Sequence, residues 1–121
     1  MVRSPHAHAK IRAIDVSRAM AAPGVIAVLT GADAAADGLA PIPHNPDWVG
    51  PPDVTLRLPP DFEVFTTDNA VLPLDTVRYV GEAVAMVVAE TAAGAADAAE
   101  LVDIDYEPLR AVATPRAAQA D

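Results

Sequence analysis

The side chains able to do chemistry are few and widely spaced. His6 and His8 stand two apart, so an extended backbone sets both rings on one face, and His44 is the remaining histidine. Zinc would need four ligands at tight spacing, with cysteine or a neighbouring carboxylate completing the set. None accompanies these residues, and Pro5 interrupts the strand, so both histidines read as polar residues at a strand start. Asp103, Asp105 and Glu107 alternate along another stretch and could gather on a hard cation. The loop that converges oxygens on calcium is missing, so they read as the wet or partner-covered face of a strand. Glu82 follows Gly81 between two apolar runs. Without a nearby His, Lys or second acid it is expected to cap exposed amides at a turn. Thr30-Gly31-Ala32-Asp33 follows a strand and opens a helix, but lacks the glycine pattern or Lys-Ser/Thr pair of a phosphate loop; Thr30 and Asp33 read as helix caps. Neither Ser4 nor Ser17 sits in a nucleophile elbow.

The elements that must position these groups follow from hydrophobic periodicity. His8 to Asp15 alternates, with Ala9, Ile11 and Ala13 on one face and Lys10 and Arg12 on the other, as in a half-buried strand. Ser17 is placed to cap a short helix that stops at Pro23-Gly24. Residues 25–30, VIAVLT, form a continuous apolar run suited to a strand covered on both faces, and 30–37 form a capped turn of helix closing at Gly38. Ala83 to Glu90 predicts a central strand. Thr91 then caps a helix reaching Leu101 whose inward stripe is Ala92, Ala95, Ala96 and Ala99. Val102, Ile104 and Tyr106 alternate with the acids in a strand ended by Pro108, and Thr114-Pro115 starts a last short helix. Between them, residues 40–60 hold seven prolines and the only tryptophan, Trp48, which predicts a mobile loop or interaction arm; 62–66 reads as a short strand or the arm's return limb. The order suits one mixed α+β domain over residues 1–121.

Composition narrows the function. A length of 121 residues suffices for one core, and the alanine- and valine-rich, aromatic-poor content predicts a thin one. A formal charge of −9 argues against nucleic acid or an anionic membrane as partner, because phosphate binding draws on clustered Lys and Arg. The chain has no cysteine, hence no disulfide, thiolate nucleophile or thiolate ligands for an iron–sulfur cluster. Its longest apolar run, Ala83 to Ala89, is far below the roughly 20 residues that span a bilayer. No export signal opens the sequence, and a cytoplasmic location is the expectation.

Several phrases, in order, carry a resemblance: RSPHAHAKI at 3–11, APGVIAVLTGAD at 22–33, DTVRYVGEAVAMVVAET at 75–91, and VDIDYEPL after the alanine-rich helix. The chain resembles the α/β-hammerhead domain that leads the molybdopterin-binding large subunit of the xanthine dehydrogenase, aldehyde oxidase and carbon monoxide dehydrogenase type. The resemblance implies an α/β-hammerhead-like fold, a mixed sheet with short packing helices. It also implies a structural and assembly role in an enzyme that hydroxylates aldehydes or heteroaromatic carbons with oxygen from water, or oxidises carbon monoxide. The pterin-holding residues and general base of that family lie in later domains, so no catalytic, cofactor-binding or metal residue carries over. Molybdopterin-molybdenum, iron–sulfur clusters and usually FAD would sit on other domains or subunits, and the isolated chain is expected to be inactive. Family members begin with a further strand region, where this chain has Met1-Val2. The expected partners are therefore the enzyme's molybdopterin-binding domains and, for the isolated chain, a second copy. The alternative is a free-standing, non-catalytic interaction module of the same fold.

Overall fold

A computed structural model describes residues 1–42, 60–61 and 69–119. The strands are β1 (Val2–Arg3), β2 (Ala9–Asp15), β3 (Val25–Thr30), β4 (Thr76–Val77), β5 (Ala83–Ala89) and β6 (Asp103–Pro108). The helices are α1 (Ser17–Met20), α2 (Gly31–Ala36), α3 (Ala92–Ala99) and α4 (Pro115–Ala118). The α+β class holds. The strands form two three-stranded sheets, β1-β5-β3 and β4-β2-β6, and every described pairing is antiparallel.

Consecutive strands alternate between the sheets, so the chain crosses at every connection: at residues 4–8, through α1, after β3 by way of α2, at 78–82 and through α3. That helix leaves β5 in one sheet and delivers the chain to β6 in the other. The two sheets are thus laced together, and adjacent residues of β5 feed different cores. Ala85 and Val87 join Ala19, Val28 and Ala98 beneath the helices, while Val84 joins Ala9 and Val77 against the second sheet. Among the described residues the largest fully buried side chains are Val77 and Val84, so both cores are built from small residues, as the composition predicts.

Three predicted faces shift in the fold, each for an identifiable reason. The β2–β6 register slips between Ile11 and Ala13, so Arg12 is an extra residue there. The bulge turns Ala13 outward and Ile14 inward. β3 has the same irregularity between Val25 and Ala27 and lies at a sheet edge. Ile26 is consequently 64% exposed, and the strand is not covered on both faces. On α3 the buried residue is Ala98, with Ala95, Ala99 and Leu101 packed around it. Ala92 and Ala96, predicted inward, are exposed, because the helix presents one edge of the predicted stripe to the core and leaves the other open.

Local capping follows the chemistry with one correction. Thr91 Oγ1 accepts from Gly94 N at 3.0 Å, and Thr114 Oγ1 accepts from Ala117 N at 3.2 Å. Ser17 does not cap α1: it is the first helical residue, and the Asp15 carboxylate accepts from its amide at 2.9 Å. Gly31 opens α2 where a Cβ would come within 2.3 Å of the Pro73 carbonyl oxygen, so only glycine fits without moving that backbone. Residues 43–59 of the proline-rich segment, and the strand expected at 62–66, lie outside the described residues. Its flanks meet, since Ile42 N donates to Asn69 O at 2.8 Å.

Candidate functional site

Three of the polar residues singled out in the sequence, Ser4, His6 and Glu82, meet at the crossing between the sheets. Ser4 is almost fully buried there. Its amide donates to Glu82 O at 2.9 Å, and its carbonyl accepts from Gly81 N at 2.8 Å. Its hydroxyl accepts from His6 N at 3.0 Å and donates to His6 O at 3.3 Å. Ser4 is therefore a pivot, tying the end of β1 to the start of β5 while bending the chain toward β2. Arg3 Nη1 reinforces the tie by donating to Gly81 O at 2.7 Å.

Glu82 is buried, and its carboxylate accepts from Arg78 N at 2.5 Å. The turn it closes carries Gly81 at φ +88°, and Glu82 N donates back to Tyr79 O at 3.2 Å. This is the turn-capping role that its sequence neighbours suggest. The Tyr106 ring meets His6 edge to face, with centroids 4.9 Å apart. Its hydroxyl is buried without a hydrogen-bond partner among the described residues. Burial pushes that phenol above its ordinary range; the nearby Ser4 hydroxyl, already committed to His6 O, opposes the shift in part, and the Glu82 charge adds to it.

The candidate metal residues separate. His6 meets Tyr106 edge to face, whereas His8 Nδ1 is hydrogen-bonded to Arg110 O at 2.8 Å. His44 lies outside the described residues. Glu107 pairs with Arg12 across the sheet, and Asp103 and Asp105 face solvent. Among the described residues no group of three His, Cys, Asp or Glu side chains is placed to hold a metal. The Thr30 amide and hydroxyl both donate to Asp33 Oδ2 at 2.7 Å, which holds that carboxyl below its usual range and completes a capping box. No helix among the described residues is long and apolar enough to cross a membrane.

Sequence reasoning missed two open surfaces. One is a groove of about 560 Å³ between the N-terminal strand and the outer side of α3, lined by Met1, Val2, Arg3, four alanines and Glu100. The other, about 270 Å³, runs between α2 and residues 70–78, where Leu39, Val71 and Leu74 are all exposed. The signal for the first was available in the alanine stripe of α3. Assigning that stripe inward concealed it. Both surfaces are largely apolar, and among the described residues neither lining gathers an acid, a base and a nucleophile.

Residues 1–110 match the family described as aldehyde oxidase and xanthine dehydrogenase, a/b hammerhead domain. The carbon monoxide dehydrogenase large chain of Afipia carboxidovorans is 43% identical over 116 residues, covering 94% of this chain and 12% of the relative. The nicotine 6-hydroxylase large subunit of Paenarthrobacter nicotinovorans is 42% identical over 115 residues, covering 95% and 12%. Among solved structures, a Cu,Mo-CO dehydrogenase in its carbon monoxide reduced state aligns with a TM-score of 0.75 and 40% identity, over 97% of this chain and 12% of that one. The chain therefore spans only a small part of the proteins it resembles. With both its sequence phrases and its laced pair of antiparallel sheets accounted for, the chain belongs to the α/β-hammerhead family of the aldehyde oxidases and xanthine dehydrogenases.

Proposed function

We propose that this chain is a structural and assembly domain of a molybdenum hydroxylase large subunit, the chemistry residing in domains beyond it. One observation carries the reading: Ser4 and Glu82 at the sheet crossing are spent on turns and chain ties, while apolar surface is left open on two sides. Among the described residues no group of side chains is placed to hold a metal ion. The chain has no cysteine, and its two described histidines are engaged with Tyr106 and Arg110. The parent enzyme hydroxylates an aldehyde or heteroaromatic carbon with oxygen from water, or oxidises carbon monoxide, with iron–sulfur clusters and usually FAD on other domains or subunits, in the cytoplasm. The names of the relatives support the class of reaction.

The surface around Leu39, Val71 and Leu74 is where the molybdopterin-binding domains would pack, because exposed apolar side chains beside a groove favour a partner over water. Alone, the chain associates with a second copy. The test is reconstitution: the remainder of a related large subunit is produced without this domain and mixed with the purified chain. A stoichiometric complex is expected, lost on Leu74→Asp, with molybdenum staying on the remainder. Stoichiometric molybdenum in the chain purified by itself overturns the reading.

A further inference from the structure

We propose that His8 is a positioning residue, a side-chain clasp that fixes the heading of the chain as it leaves β6 by donating from Nδ1 to the carbonyl of Arg110.

The need for a clasp arises at Pro108. The β2–β6 ladder runs from the Asp15–Asp103 pair to the Ala9–Pro108 pair. Proline brings no N–H, so the ladder weakens at that end. One residue further, Leu109 N still donates to His8 O at 2.9 Å. Residues 111–116 are then exposed, and α4, four residues long, buries none of its side chains. Packing of that helix therefore cannot set the course of the chain, which has to be fixed by the end of Arg110.

His8 stands where it can do this. Its backbone carbonyl holds Leu109 and its ring Nδ1 lies 2.8 Å from Arg110 O, so one residue grips two successive residues after the proline. The bond joins positions 102 apart in sequence, tying the crossing at residues 4–8 to the exit from β6. A carbonyl oxygen can only accept, so Nδ1 carries the proton and the neutral ring is the Nδ1–H tautomer. The residue is half-buried, which limits competition from water. Two positions earlier, His6 meets Tyr106 edge to face with centroids 4.9 Å apart. The paired histidines thus hold the chain on either side of Pro108, one by ring contact and one by a hydrogen bond.

Trypsin reads the clasp directly, because the carbonyl held by His8 belongs to the Arg110–Ala111 bond that the protease cuts. That bond must leave His8 before it enters the protease, and cleavage then follows the population of the open form. His8→Asn keeps an amide N–H at the place of Nδ1, whereas His8→Gln carries it one bond further, to the place of Nε2. Cleavage at Arg110–Ala111, measured against Arg116–Ala117 in the same purified chain, should rise about fivefold in His8→Gln, as expected for loss of an ordinary hydrogen bond. His8→Asn should return the ratio toward that of the parent chain. Ring-nitrogen NMR of the parent chain at about pH 9, where a histidine ring is neutral, should show the His8 proton on Nδ1. A parent-like ratio in His8→Gln, or an equal rise in both variants, overturns the clasp. A proton on Nε2 overturns it as well. A variant that loosens the whole domain speeds both cuts alike, and the position of the proton then decides.

Discussion

Val84→Ala is expected to cost more stability than Ile26→Ala, although isoleucine is the larger residue. Val84 is fully buried in a cluster with Ala9 and Val77, against which the half-buried Ile11, Ile14, Ile104 and Tyr106 pack. The substitution removes two carbons, worth about 0.8 kcal/mol each in transfer. The void adds about 24 cal/mol per Å³ where neighbours cannot collapse, so the total is about 2–3 kcal/mol. Collapse is hindered here because Val84 sits on β5, which is held on its other face by Ala85 and Val87 in the first core. Ile26 loses three carbons but is already 64% in water. Its cost is accordingly about 1 kcal/mol or less. Urea unfolding followed by far-ultraviolet circular dichroism, with unchanged m-values, measures both. An Ile26→Ala cost equal to or above that of Val84→Ala would refute the placement of Val84 in the second core and of Ile26 on the outward side of a bulge.

Three further outcomes follow from local contacts. Thr91→Ala removes the acceptor for Gly94 N and should cost about 1 kcal/mol, with Thr91→Ser restoring most of it in the same denaturation assay. Asp33 has a folded-state pKa lowered from 3.8 by its hydrogen bonds from Thr30. Its contribution is present above the unfolded value and is lost as pH falls through the folded one, so Asp33→Asn should flatten the acid limb of the stability–pH curve. Tyr106→Phe deletes a buried hydroxyl that has no described partner, and should leave the melting temperature unchanged or raised; a marked drop would mean that the hydroxyl is bonded.

Much of this domain is legible residue by residue. The alternation after Val102 predicts the inward Ile104 and Tyr106, and Thr91, Thr114 and the Thr30–Asp33 pair announce their helices by side chains that bond local amides. Glu82 is legible as a turn cap for the same reason. These are short-range interactions, set by neighbours within about four residues. The reading fails where one strand responds to another. Ala13 and Ala27 follow register shifts fixed by β6 and β5, and nothing within 9–15 or 25–30 marks the extra residue. The stripe on α3 fails similarly, because alanine alone leaves the helix without a dominant apolar face, and its rotation was decided by the sheet beneath it.

The amino-acid order alone determined the longer strands and the helices, the caps at Thr30, Thr91 and Thr114, the absence of cysteine chemistry and the family phrases, since each depends on composition or on contacts a few residues long. Tertiary structure decided that the strands divide into two sheets, that Ser4 becomes the buried pivot between them, and that His6 and His8 take separate partners. These features depend on pairings between residues such as Val2 and Ala85, far apart in the chain, where loop closure and packing, rather than local propensity, select the arrangement.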